Sequence, residues 1–268
     1  MGNTHAAISS TRVGVVIVAV LLQSFVAIEW LYGQAQREAT IEVNDPRPLA
    51  KAIEVVEQRF GQPITYEDSQ VENANEIDDV TGAVRRDGNL NKRVLIPRGG
   101  PFMFRYVSPS DSSNPTEFVS ILLPSLVATY HSYNNVGYPG RYAVLQRGDV
   151  FHIVPTGFRD KGGQDIIRGS VLESSISIPG ATRTADEMIR KVLRLVTHTT
   201  GITVELGIAP VNLLRGTTVN EGATREVARD VLLRTLSATG RTLSWQLFYG
   251  PDTKTYAFNV HIVESSAP

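Results

Sequence analysis

Val150-Phe151-His152-Ile153-Val154 and Asn259-Val260-His261-Ile262-Val263 end two stretches of this chain in nearly the same words. Each pentapeptide closes a run that reads helix, strand, helix, hairpin. The echo predicts an internal duplication of one small α/β unit. A chain of 268 residues has room for two such units or one large domain. With 42% apolar and 20% charged residues it has the composition of a folded protein.

The helical signals recur in step. Leu49, Ile53, Val56 and Phe60 share one face of a helix that Gly61 ends, and Ile64-Thr65-Tyr66 follows as a short strand. Ala185, Ile189, Val192 and Val196 repeat the pattern, with Thr184 and Glu187 spaced as a capping box and Gly201 closing the helix. Ile202, Val204 and Leu206 then alternate as a half-buried strand. A second helix follows in each copy. Asn114-Pro115-Thr116-Glu117 opens one whose apolar stripe contains Pro124, a predicted kink. Val227, Ala228, Val231, Leu232 and Leu236 form the other. The hairpins turn through Arg147-Gly148-Asp149 and Gly250-Pro251-Asp252.

The copies differ in length. Gly61 and Gly201 lie 140 residues apart, whereas His152 and His261 lie 109 apart. The first copy therefore carries extra residues, which fall in the polar run near 71–98 and read as a solvated excursion or an added hairpin. The expected layout is α+β: an N-terminal segment 1–35, a first module 41–156 with that insertion, a linker 157–181 rich in Gly and Ser, and a second module 182–264. Each module is expected to pack two helices on a small mixed β-sheet. Within the linker, Ile166-Ile167 and Val171 to Ile178 could add an edge strand.

Arg12 precedes an apolar run from Val13 to Ile28, and Gly33-Gln34-Ala35 supplies small residues where a signal peptidase would cut. The run is shorter than the roughly 20 residues a bilayer span needs. This predicts a cleaved signal peptide or, in the alternative, an uncleaved membrane anchor. Either places the body outside the cytoplasm. The absence of cysteine excludes disulfides, thiolate metal sites and a lipid-modified N-terminal cysteine. A formal net charge of −1 gives no overall pull toward nucleic acid.

No cofactor or metal is expected. The histidines are His5, His131, His152, His198 and His261, and none has metal-ligand spacing. His131 and His198 sit near helix C-termini, where the helix dipole favours them. His152 and His261 are read as half-exposed strand residues inherited with the repeat. There is no GxSxG elbow and no SxxK; Gly99-Gly100 and Gly162-Gly163 lack the context of a phosphate loop. No catalytic residue is assigned. Trp245, Leu247 and Tyr249 share one strand face, and Tyr256, Phe258, Val260 and Ile262 another. Together these form either the core face under the second helix or an open platform. The candidate binding surface is therefore His152, His261, Trp245, Tyr249 and Tyr256.

The second module, through Gly201-Ile202-Thr203-Val204, Gly216-Thr217-Thr218-Val219, Ala228-Arg229-Asp230-Val231-Leu232-Leu233 and Gly240-Arg241-Thr242-Leu243-Ser244-Trp245, resembles the short N-terminal domain of secretins and TonB-dependent receptors. The resemblance covers roughly 184–263 well and 49–155 loosely. It implies a non-enzymatic module of the bacterial periplasm that binds an envelope protein. The chain departs from those families in that neither an outer-membrane barrel nor a secretin ring follows within it. A periplasmic hydrolase with its site between the modules, or a carbohydrate- or peptide-binding module using the aromatic hairpin, are the alternative expectations. The oligomeric state is left open.

Overall fold

The computed structural model describes residues 38–84, 93–108 and 114–264. The expected signal or anchor segment lies outside them. The described residues within Thr40–Tyr106 and from 114 to 264 form one compact unit. No helix among the described residues is long and apolar enough to cross a membrane.

The protein is a mixed α/β structure. In chain order its elements are β1 (Glu38–Asp45), α1 (Pro48–Phe60), β2 (Ile64–Glu67), β3 (Ile77–Asp79), α2 (Thr81–Val84), β4 (Leu95–Pro97), β5 (Gly100–Val107), α3 (Pro115–His131), β6 (Arg141–Arg147), β7 (Val150–Arg159) and β8 (Asp165–Ile167). There follow β9 (Ser175–Thr184), α4 (Ala185–Thr200), β10 (Val204–Leu206), α5 (Val211–Gly216), β11 (Thr218–Val227), α6 (Ala228–Ser237), β12 (Leu243–Gly250) and β13 (Thr255–Ile262).

Local chemistry sets the helix ends. The Glu187 amide donates to Thr184 Oγ1 at 3.2 Å, and the Thr184 amide donates to the Glu187 carboxylate at 2.8 Å, so the capping box starts α4. Gly61 and Gly201 stop α1 and α4 in the left-handed conformation, which costs glycine least. Pro124 lies inside α3 without ending it. It is on the exposed side, where the carbonyl left without an amide partner can be hydrated.

The principal sheet has the order β10-β13-β12-β2-β7-β6, with β8 added to the end of β7. β10 and β13 are parallel, and β13 and β12 antiparallel. In the other half β2 and β7 are parallel, and β7 and β6 antiparallel. Each half thus reads first strand, last strand, middle strand. The halves meet where β12 runs parallel to β2, with Gln246 opposite Tyr66 and Leu247 opposite Glu67. Following directions across the sheet, the second run of three is inverted relative to the first. A half-turn about an axis crossing the strands inverts their direction and exchanges the sheet's two faces. Helices that pack equivalently in each half must therefore lie on opposite faces.

Contacts agree. Trp245, Leu247, Tyr249, Tyr256, Phe258 and Val260 form one core cluster with the apolar faces of α4 and α6. On the opposite face, Tyr66 meets Phe248 and Tyr142, Tyr142 meets Tyr130 of α3, and Glu57 of α1 reaches His261.

Two expectations need correction. Residues 157–181 are no linker. They complete β7, form β8 and begin β9, which pairs antiparallel with β11 as a separate ribbon. The halves are not separate domains either, because one sheet runs through both and they fall in one compact unit. The junction is polar and buried. Arg229 of α6 makes a two-pronged pair with Glu67 of β2 at 2.8 and 2.9 Å, both side chains being nearly inaccessible. Ser244 Oγ donates to the Ile64 carbonyl, and Arg47 joins Asp68 to the Tyr249 carbonyl. Within the insertion, β3 and β4 pair antiparallel, and residues 85–92 lie outside the description.

Candidate functional site

Four of the five residues expected to form a binding surface lie in the core. His152 and Trp245 are 0% exposed, and Tyr249 and Tyr256 are each 3% exposed. Strand alternation puts His152 on the face opposite Phe151 and Ile153. That face is not solvent, because the helices of the second half cover it at the junction. Its Nδ1 lies 2.7 Å from Thr65 Oγ1, and its ring packs 5.7 Å from that of Trp245. Burial, helped by the charges of Arg229 and Arg147, pushes its pKa down to about 3. His152 Nε2 and Trp245 Nε1 are among the buried polar atoms that find no partner.

His261 has the other fate. About a third of its side chain is exposed, and Nε2 lies 2.5 Å from Glu57 Oε2. Glu57 is buried in α1, where Ile53 and Val56 share its inward side, and its Oε1 accepts the Ile64 amide at 2.8 Å. Burial alone lowers the His261 pKa, but the hydrogen bond and charge of Glu57, with Glu54 behind it, outweigh that and raise it overall.

The pair stands at one wall of a groove of about 680 Å³. The half-turn relating the two halves creates it: α4 and α6 cover only one face of β12 and β13, and α1 reaches only the near edge of the other. Phe248, Gln246 and Asn259 form the floor, and Ile208 and Ile262 stand at the margin, 81% and 45% exposed. Glu54, Glu57 and Glu264 supply carboxylates along it. The Arg47 guanidinium lies 4.6 Å from the centre of the Phe248 ring and orients it.

The sequence reading missed Glu57, Phe248 and Ile208. Phe248 carried a signal: it is the one aromatic on the strand face that alternates with Trp245, Leu247 and Tyr249. Glu57 was hidden because apolar periodicity gives no signal for a buried carboxylate beside Ile53 and Val56. Among the described residues no group of three or more His, Cys, Asp or Glu is placed to hold a metal ion. Comparison with protein-family models, characterised proteins and solved structures finds no match to this chain.

Proposed function

We propose that this chain is an exported, non-enzymatic docking protein of the bacterial cell envelope, akin in role to the short N-terminal modules it resembles, and that it binds a protein partner in the groove beside His261. The uncovered half-face of β12 and β13 carries this reading. Ile208, Phe248 and Ile262 supply apolar surface, and Glu264 borders it with negative charge, while Glu57 is paired with His261 and Glu54 with Lys51. Charge complementarity selects a partner segment that combines apolar anchors with Lys or Arg. Export rests on Arg12, the Val13–Ile28 run and the small residues at 33–35. N-terminal sequencing of the protein recovered from cells tests it: a new start near residue 36 supports cleavage, and an intact Met1 in the cytosolic fraction contradicts export.

Binding is tested with the purified chain and labelled amphipathic peptides in three series: apolar-basic, apolar-acidic and polar-basic. The apolar-basic series should bind best, and Phe248→Ala should weaken it by about tenfold or more, as loss of a buried aromatic anchor does. Equal binding of all three series, or an unaffected Phe248→Ala protein, contradicts the proposal.

A further inference from the structure

A second opening, far from the groove in chemistry, lies inside the first half. A cleft of about 530 Å³ is bounded by Glu76, His131, Asn134, Arg141, Arg159 and Asp165, with the Phe158 ring in its wall. Its unusual member is Glu76, which ends a short 3-10 turn and is 1% exposed. One carboxylate oxygen, Oε1, accepts the Arg159 Nε–H at 2.5 Å. The other, Oε2, finds no hydrogen-bond partner. A buried acceptor without a donor is costly, and the residue that carries it lines an open cleft.

The neighbouring groups alternate in hydrogen-bonding sense. Arg159 Nη2 donates to the Asn134 carbonyl at 2.9 Å, while Nη1 donates to no group among the described residues. His131 Nε2 accepts the Tyr142 amide at 3.0 Å. Burial and the charge of Arg141 lower the His131 pKa, and with Nε2 accepting an amide the ring proton sits on Nδ1, a donor. Asn134 spends its amide nitrogen on the Tyr138 and Gly140 carbonyls. The charges cancel in pairs: Glu76 with Arg159, and Asp165 with Arg141 at 2.5 Å.

We infer that this cleft binds a neutral saccharide unit, one hydroxyl donating to Glu76 Oε2 while a neighbouring oxygen accepts from Arg159. Hydroxyls that both donate and accept suit an acceptor and a donor held side by side. The balanced charges give no advantage to an anion or a cation. The volume falls within the few hundred Å³ usual for small-ligand sites. The inference rests on residues that the groove does not share, so either can fail alone.

The test uses the full purified chain, isotope-labelled, titrated with a panel of neutral disaccharides (maltose, cellobiose and diacetylchitobiose) and with glutamate, arginine and inorganic phosphate as charged probes. At least one disaccharide should move the amide signals of Glu76, Asn134, Arg159 and Asp165, and Glu76→Gln should weaken it about tenfold or more. Should Glu76→Gln fail to fold, Asn135→Trp at the exposed rim should block the same titration. A sedimentation arm with insoluble chitin and peptidoglycan separates the sources: retention without response to free sugar assigns the site to a polymer. No response to any saccharide, soluble or insoluble, overturns the inference. So does a stronger response to a charged probe, or saccharide binding that survives both substitutions.

Discussion

His152 and His261 occupy the same position in the two halves, and their surroundings drive their pKa values in opposite directions. For His152 the folded pKa, about 3, lies below the ordinary 6.5. As pH falls through that interval the unfolded chain takes up a proton that the folded chain does not. Stability therefore drops on acidification, at up to about 1.4 kcal/mol per pH unit for a group this well buried. Urea unfolding at neutral pH and through the acid range should show that slope, and His152→Gln should flatten it; equal slopes would contradict this assignment. His261 has the reverse sign, because its folded pKa is raised. Its contribution is present below the ordinary histidine pKa and is lost as pH rises through the raised value. His261→Gln should lower stability in mildly acidic buffer, by less than about 1 kcal/mol for so exposed a pair, and leave it unchanged in alkaline buffer. The period-two pattern located both histidines on their strands correctly. It could not show which face the other half of the molecule covers.

At the level of elements, the junction between β12 and β2 decides the architecture, and one ion pair dominates it. Removing Arg229 leaves the buried Glu67 carboxylate uncompensated, whereas removing Glu67 leaves Arg229 a second partner, the half-exposed Glu173 at 2.5 Å. Arg229→Met alone should cost about 3–5 kcal/mol and Glu67→Leu alone less, whereas the double substitution should recover most of the Arg229→Met loss, as a denaturant-unfolding double-mutant cycle would show. Counting from the shared glycines, the residue matching Glu67 is Gly207; counting from the shared histidines, the residue matching Arg229 is Ser120. The pair was thus built once, where the halves meet, and is missing from both outer edges. Capped helices and tight hairpins were legible because their signals are local: Thr184 with Glu187, Asn114-Pro115, Gly148 and Gly250. Thr184→Ala should cost about 1 kcal/mol in the same unfolding assay. β9 was not legible as a long strand because Pro179-Gly180 reads as a loop. A two-stranded ribbon tolerates them, since β9 pairs with β11 alone. The shared sheet was invisible for another reason: periodicity reveals which face a residue takes, never which distant strand lies beside it.

For the whole molecule, the half-turn between the halves has two consequences. It fuses them into a single sheet, so heat or urea should unfold the described body in one cooperative transition seen alike by Trp245 fluorescence and by far-ultraviolet circular dichroism. Two separated transitions would mean that the halves stand independently. It also leaves part of one sheet face bare beside α1, and the proposed docking role rests on that bare face. The most direct measurement places a photo-crosslinking amino acid at Ile208, on the groove margin, and in a second strain at Ile121, an exposed apolar position on α3. On irradiation of living cells, the position-208 protein should give one discrete heavier species that Phe248→Ala diminishes, while the position-121 protein gives none. The same products from both positions, or none from 208, would contradict a docking groove at His261.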